Sequence, residues 1–214
     1  MTTKEKILDA ALTLFSERGY DPVSVRDIAA AVGIKESSLY NHFKNKQDIF
    51  DTIVTAYTDR WAAIFQGLSL TDSDRQFVVD ERMVNMYRDM TPEQFSVIGG
   101  LIFDAYMTDD VNVKFRRLLT LEQYRSPALA ALFRRVSFDD SIGFQAQLFK
   151  ALMAAGCFVE KDPYILALEF FSPIFLLFYK FGSEPESVQA AKALFLRHIA
   201  HFNETYGVKR GAGQ

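Results

Sequence analysis

SVRDIAAAVGIKESSLYNHFKNKQDIF, residues Ser24 to Phe50, reads as two short helices joined by a tight turn, with a third helix starting at its end. Ser24 and Asp27 stand at capping-box spacing, so the hydroxyl can take the Asp27 amide while the carboxylate returns to Ser24, and a helix begins there. Ile28, Ala29 and Val32 then recur at helical spacing, and Gly33 supplies the positive φ with which many helices close. Ala29 is small enough for a second helix to cross nearby, and Ile34 plugs the turn. The second helix fits Lys35 to about His42, with Leu39 and Phe43 turned to the core. Lys35, Glu36, Ser37, Ser38, Tyr40, Asn41 and His42 are left facing outward or sideways, and these side chains can bond phosphates and base edges. Asn45 with Asp48 repeats the capping spacing, so another helix starts near Lys46, flanked by Lys44 and Lys46 where exposed amides favour an anion. This is the layout of a helix-turn-helix, which sets its second helix in the DNA major groove.

The preceding residues complete a three-helix domain. Thr2 and Glu5 have capping-box spacing, and Ile7, Leu8, Ala11, Leu12 and Phe15 form one apolar stripe that ends at Gly19. Tyr20 follows, and Asp21-Pro22 keeps the chain extended up to Ser24. Three helices around one apolar centre are marginal alone and gain from packing on the helix that begins at Lys46.

These residues resemble the TetR/AcrR transcriptional regulators. The resemblance rests on Ile7, Ala10, Ala11, Leu14, Phe15, Gly19, Tyr20, Ser24, Arg26, Asp27, Ile28, Ala29, Gly33, Leu39, Tyr40, His42, Phe43, Lys46 and Phe50 in register, with Ile49 where the family usually has Leu. It implies an all-α protein with a three-helix DNA-binding domain over residues 1–50 and a larger helical ligand-binding and dimerisation domain over residues 51–214. It further implies that Arg26 meets a base edge or nearby phosphate, that Lys35, Glu36, Ser37 and Ser38 carry mainly base readout, and that Tyr40, His42 and Lys46 meet phosphates; Ser24, Asn41 and Lys44 complete the candidate DNA-binding set. Lys35 stands where the family often has Ser or Thr, which weakens that cap, and Glu36 can repel phosphate or accept from cytosine.

Composition sets outer limits. The 214 residues are 49% hydrophobic and 24% charged, the balance of a globular chain and not of a disordered one. A single cysteine, Cys157, excludes an intrachain disulfide, and no charged-then-apolar leader precedes Ile7, so a cytoplasmic protein is expected. The net charge is -3, and residues 1–50 carry seven charges of each sign, so global basicity does not argue for nucleic acid. Local placement does, through Arg26, Lys35, Lys44 and Lys46.

Beyond Thr52 the pattern is helical throughout, with breaks expected near Ser69–Asp74, Thr91–Pro92, Thr108–Asp110, Ser126–Pro127, Gly156–Pro163 and Gly182–Pro185, giving six further helices and a polar, mobile tail over Gly207–Gln214. Tyr164 to Phe181 is apolar nearly all round, which predicts a helix buried on all sides; Glu169, Ser172, Pro173 and Lys180 interrupt it, so core plus subunit interface is expected and not a membrane span. Pro173 is expected to kink it. Val188, Phe195 and Phe202 recur every seven residues, as do Ile199 and Tyr206, giving a seam that can pair chains or pack within one. The family resemblance places a four-helix dimer interface in these two segments, with Phe171, Phe175, Phe178, Val188, Phe195, Ile199 and Phe202 as its candidates. A homodimer would present two recognition helices to a palindromic operator in double-stranded DNA.

Seventeen of the 20 Phe residues follow residue 50, a density suited to a core and also to a pocket for an apolar or aromatic small molecule. The resemblance puts an effector pocket among the middle helices, with Phe103, Tyr106, Met107, Tyr124, Phe144 and Phe175 as candidates. Gly99-Gly100 leaves room for a ligand or a neighbouring helix, and Arg116, Arg117, Arg125, Arg134 and Arg135 form either a solvated face or a site for an acidic effector. His198, His201 and Glu204 lie three apart, a weaker metal spacing than four with no second cluster, so no metal or cofactor is expected. No P-loop, dinucleotide loop or nucleophile elbow is present, and no catalytic residue is named. The expected function is a repressor released from its operator by an effector; the alternative is a ligand-binding or scaffold protein that keeps the fold without a DNA target.

Overall fold

A computed structural model describes residues 1–67, 71–74, 77–181 and 185–208. Among them eleven α-helices follow one another, and an isolated bridge pairs Phe158 with Gly207. The all-α architecture thus follows the helical periodicity. The chain forms two compact units, residues 1–71 with 113–135 and residues 72–112 with 136–214.

The first unit is built on local signals. Helices α1 (Thr3–Arg18) and α2 (Val25–Val32) start at complete capping boxes, Thr2 with Glu5 and Ser24 with Asp27. Each ends at a glycine of positive φ, Gly19 at 81° and Gly33 at 74°. At Gly33 the amides of Gly33 and Ile34 return to Ala30 and Ala29, which closes the helix in a Schellman turn. Helix α3 (Glu36–Leu39) is shorter than the expected span to His42. Lys35 gives it no side-chain cap, and the Asn41 and His42 amides bond three residues back, so the chain tightens into turns after Leu39. Helix α4 (Lys46–Gly67) follows; Asn45 Oδ1 caps the Asp48 amide, but the Asp48 carboxylate reaches the Lys44 amide and not that of Asn45.

Helix α1 packs on α2 and α4, burying Ile7, Ala11, Leu12, Phe15, Ile28, Ala29, Leu39 and Ile49. The expected domain boundary after residue 50 falls inside this unit, because α4 and residues 113–135 belong to it. Tyr57 of α4 stacks on Phe115 of α7 (Asp110–Glu122) at 3.6 Å, and α8 (Pro127–Arg134) follows. Three short helices bury too little apolar surface alone, and these additions enlarge the core.

The second unit holds α5 (Glu81–Asp89), α6 (Pro92–Met107), α9 (Asp140–Ala154), α10 (Pro163–Lys180) and α11 (Pro185–Tyr206). Breaks stand where Thr91–Pro92, Thr108–Asp110, Ser126–Pro127 and Gly156–Pro163 put them, with Thr91, Ser126 and Asp162 each capping the helix that follows. The break at Gly182–Pro185 and most of the tail fall outside the described residues, as does part of Ser69–Asp74. One division was not foreseen. Residues 127–156 form α8 and α9 joined by a π-helical turn, Arg135–Asp139, which adds a residue to the helical register and leaves Phe138 stacked on Phe175 at 4.1 Å.

Helix α10 packs on α9 and α11, and α11 on α6. Two expectations are corrected here. Helix α10 is long and apolar enough to cross a membrane by length and composition, yet it is not buried on all sides: Leu166, Ala167, Phe171, Ile174 and Leu177 face the core, whereas Tyr164, Ile165, Leu176 and Tyr179 are more than half exposed. It continues through Pro173. The seven-residue seam of Val188, Phe195, Ile199 and Phe202, together with Phe171, lies in this chain's own core beside Phe149, Leu152 and Phe158, so within the single chain these side chains are taken up by intramolecular packing. A heptad pattern marks close helix packing without saying on what. Phe175 and Phe178 are only partly buried.

The Gly99-Gly100 pair admits a neighbouring helix. A Cβ at Gly99 would stand 2.6 Å from Ile199 Cδ1, and one at Gly100 3.3 Å from Lys192 Cε. Gly99→Val is expected to destabilise the protein by about 1–3 kcal/mol through overpacking, whereas Gly143→Ala in α9, where nothing lies within 4 Å, gains about 0.5–1 kcal/mol. Chemical denaturation of both variants checks the pair.

Candidate nucleic-acid interface

The recognition unit is held from beneath by its apolar side chains. Leu39 and Phe43 are buried, which turns Lys35, Glu36, Ser37, Tyr40, Asn41 and His42 to the surface with Ser38 half-buried. Arg26, on the exposed side of α2, and Lys44 lie on the same unit. The Arg26, Lys35 and Lys44 side chains make no hydrogen bond or ion pair among the described residues, so their charges are open to an anion. Ser24 is committed to its helix: its hydroxyl accepts the Asp27 amide at 3.1 Å and donates to the Asp27 carboxylate. Those bonds hold the Asp27 carboxyl below its ordinary value, so the cap persists at neutral pH and is lost only as pH falls through that depressed value.

Lys46 has a different setting from the phosphate contact expected of it. Its ammonium donates to the carbonyls of Tyr20 at 2.9 Å, Asp21 at 3.3 Å and Val23 at 2.9 Å, which occupies its three donors, and it sits 4.1 Å from the Tyr20 ring centroid. Lys46 therefore gathers the turn between α1 and α2. We expect Lys46→Ala to cost about 1–3 kcal/mol of stability and to leave the salt slope of DNA binding unchanged. Lys44→Ala should lower that slope by about 0.9 for each Lys44 that meets a phosphate, without a stability loss.

Two residues outside the helix-turn-helix reach the same turn and were not foreseen. Glu122, at the end of α7 and 6% exposed, accepts the Tyr20 amide at 2.8 Å. Arg125 pairs with Glu122 at 3.4 Å and with Asp21 at 3.8 Å, and lies 3.9 Å from the Tyr20 ring centroid, so it is neither a free effector site nor a solvated charge. Burial raises the Tyr20 phenol above its ordinary value, against the opposing pull of Arg125. A signal was present: Phe115, Leu118, Leu119 and Glu122 form one helical stripe, and an acid in an apolar stripe needs a buried partner.

Of the effector candidates, Phe103 and Met107 are core residues of the second unit. Tyr106, Phe144 and Phe175 are half-buried, with Tyr106 6.0 Å from the Phe178 ring and Phe144 5.1 Å from that of Phe77. Tyr124 does not join them: it belongs to the first unit, past the end of α7, and is 89% exposed.

The profile of the family "Bacterial regulatory proteins, tetR family" matches residues 7–53. The biofilm operon icaADBC HTH-type negative transcriptional regulator IcaR of Staphylococcus aureus is 40% identical, over 65% of this chain and 87% of its own length. The chain belongs to the TetR family. Its fold is shared by SmeT, the repressor of the Stenotrophomonas maltophilia multidrug efflux pump SmeDEF, whose complex with triclosan superposes with a TM-score of 0.63 at 22% identity, covering 99% of this chain and 94% of SmeT. A transcriptional regulator from Saccharomonospora viridis in complex with choline gives 0.61 at 21% identity, covering 97% and 98%.

Proposed function

We propose that this chain is a cytoplasmic, sequence-specific transcriptional repressor that binds a palindromic operator as a homodimer and is released by a small molecule. The observation that carries the reading is the open face of α2, α3 and the turns flanking α3, where Arg26, Lys35, Ser37, Tyr40, Asn41, His42 and Lys44 stand exposed over the buried Leu39 and Phe43. Arg can bond guanine through two donors, while Tyr and Lys position the duplex through phosphates. The relation to a negative transcriptional regulator supports repression in preference to catalysis.

The effector is an apolar or aromatic small molecule that contacts the half-buried rings of Tyr106, Phe144 and Phe175. Small molecules bound to SmeT and to the Saccharomonospora viridis regulator support this part of the reading. Effector and operator affinities are coupled by about 1–3 kcal/mol, and the coupling is reciprocal. Dimerisation uses the exposed side of α10, Ile165, Leu176 and Tyr179, and the exposed side of α11, where Ala190, Ala193, Leu194 and Ala200 allow close helix approach.

Selection of random duplexes by the full chain at near-physiological salt, with Arg26→Ala in parallel, tests the function. A palindrome enriched by the wild type and lost by the variant is expected. No enrichment by effector-free protein would overturn the reading in favour of a ligand-binding or scaffold protein.

A further inference from the structure

Tyr20, Lys46, Gln47, Glu122 and Arg125, with Tyr20 and Glu122 102 positions apart in the chain, meet at the turn between α1 and α2. Tyr20 is 6% exposed there, its amide taken by Glu122, its hydroxyl donating to Gln47 at 3.0 Å, and its ring beneath the Lys46 ammonium and the Arg125 guanidinium. Gly19, at φ 81° and ψ 170°, has the backbone that only glycine adopts readily, and a Cβ there would meet Glu122 Oε1 at 3.3 Å. Lys46 draws in three carbonyls of the turn, and Glu122 takes its amide. The clamp therefore fixes the backbone from both polarities. Val23 is fully buried immediately after it, and Ser24 then caps α2, so the clamped turn leads directly into the helix that bears Arg26.

We propose that Glu122 and Arg125 are positioning residues for operator reading: they hold the Tyr20 turn, and through it α2 and α3, in the pose that reads bases, without touching DNA themselves. The proposal rests on the DNA-binding reading above. Its physical basis is the cost of the alternatives. Without Glu122 the Tyr20 amide is a buried donor with no acceptor, which the turn can relieve only by moving toward water. Without Arg125 the Glu122 carboxylate, its side chain 8% exposed, loses its only ion-pair partner among the described residues. Base readout requires donors placed to within a fraction of an ångström, whereas nonspecific attraction to phosphates tolerates displacement. A shifted turn therefore harms discrimination before it harms general affinity.

The test is fluorescence anisotropy with the full chain on the selected palindrome and on a scrambled duplex of equal length, for the wild type, Glu122→Ala, Glu122→Gln, Arg125→Ala and Arg125→Gln. Far-UV circular dichroism first establishes that each is folded at the temperature used. Glu122→Ala and both Arg125 variants are expected to bind the palindrome at least about tenfold more weakly, about 1.4 kcal/mol, and the scrambled duplex within about twofold of wild type. Glu122→Gln should recover most of the loss, because its amide oxygen still accepts the Tyr20 N–H. An unchanged ratio of the two affinities in folded Glu122→Ala, or an equal loss on both duplexes, would overturn the proposal whatever happens to the melting temperature. Should Glu122→Ala fail to fold, the Arg125 variants, whose side chain is one-third exposed, decide by the same ratio. A wild type with no preference for any duplex sinks the regulator reading itself; a preference that every variant keeps sinks only the positioning role.

Discussion

Phe149→Ala is expected to destabilise the protein by about 3–5 kcal/mol and to lower its melting temperature by on the order of 10 °C. Phe149 is 2% exposed on α9, and its ring lies 5.3 Å from Phe158, 5.8 Å from Phe170 and 5.3 Å from Phe202. It thus joins α9, α10, α11 and the segment between α9 and α10 in one aromatic cluster. Truncation removes the transfer energy of the ring and leaves a cavity that rigid helices on three sides cannot close. The loss is a large share of the total stability of a domain, about 5–15 kcal/mol. Differential scanning calorimetry measures it, with Leu101→Ala as the comparison, since Leu101 on α6 is 65% exposed and should change little. A loss under about 1 kcal/mol for Phe149→Ala would mean that the cluster is loosely packed and that the core lies elsewhere.

The parts of the fold that were legible in the sequence are those fixed by neighbours in the chain. Thr2 with Glu5, Ser24 with Asp27, and Gly33 each act within a few residues, and each stands in the structure as its spacing implies. The exposed face of α3 was legible for the same reason, because Leu39 and Phe43 decide by helical geometry which side is hidden. Helix partners were not legible. Val188, Phe195, Ile199 and Phe202 announce a seam, but the same seven-residue recurrence serves a second chain or the same chain's core, and the structure assigns it to the core. The π-helical turn at Arg135–Asp139 carries no Pro or Gly to mark it. Lys46 could be placed at a helix start, but not the three carbonyls that occupy it, which come from a turn more than twenty residues earlier.

Leu176→Asp is expected to convert a dimer into a monomer and to weaken binding to the palindrome by about 10²–10⁴. In the single chain Leu176 is exposed on the outer side of α10, in line with Ile165 and Tyr179, so a carboxylate there stays hydrated and the fold bears almost no cost. At a helix–helix seam between chains the same carboxylate would be desolvated without a partner, and association would fail. The DNA consequence follows from valency. Once one recognition helix is bound, its partner searches a small volume, and the second half-site is met at an effective concentration far above that of free protein. Breaking the dimer removes this gain and leaves each α3 surface intact, so affinity for an isolated half-site should stay at the wild-type value. Sedimentation velocity and anisotropy on whole and half operators separate the two effects. A Leu176→Asp protein that still sediments as a dimer would show that pairing uses another face. A monomer that keeps full affinity for the palindrome would show that the two half-sites are bound independently, and the case for a dimeric reader would fall.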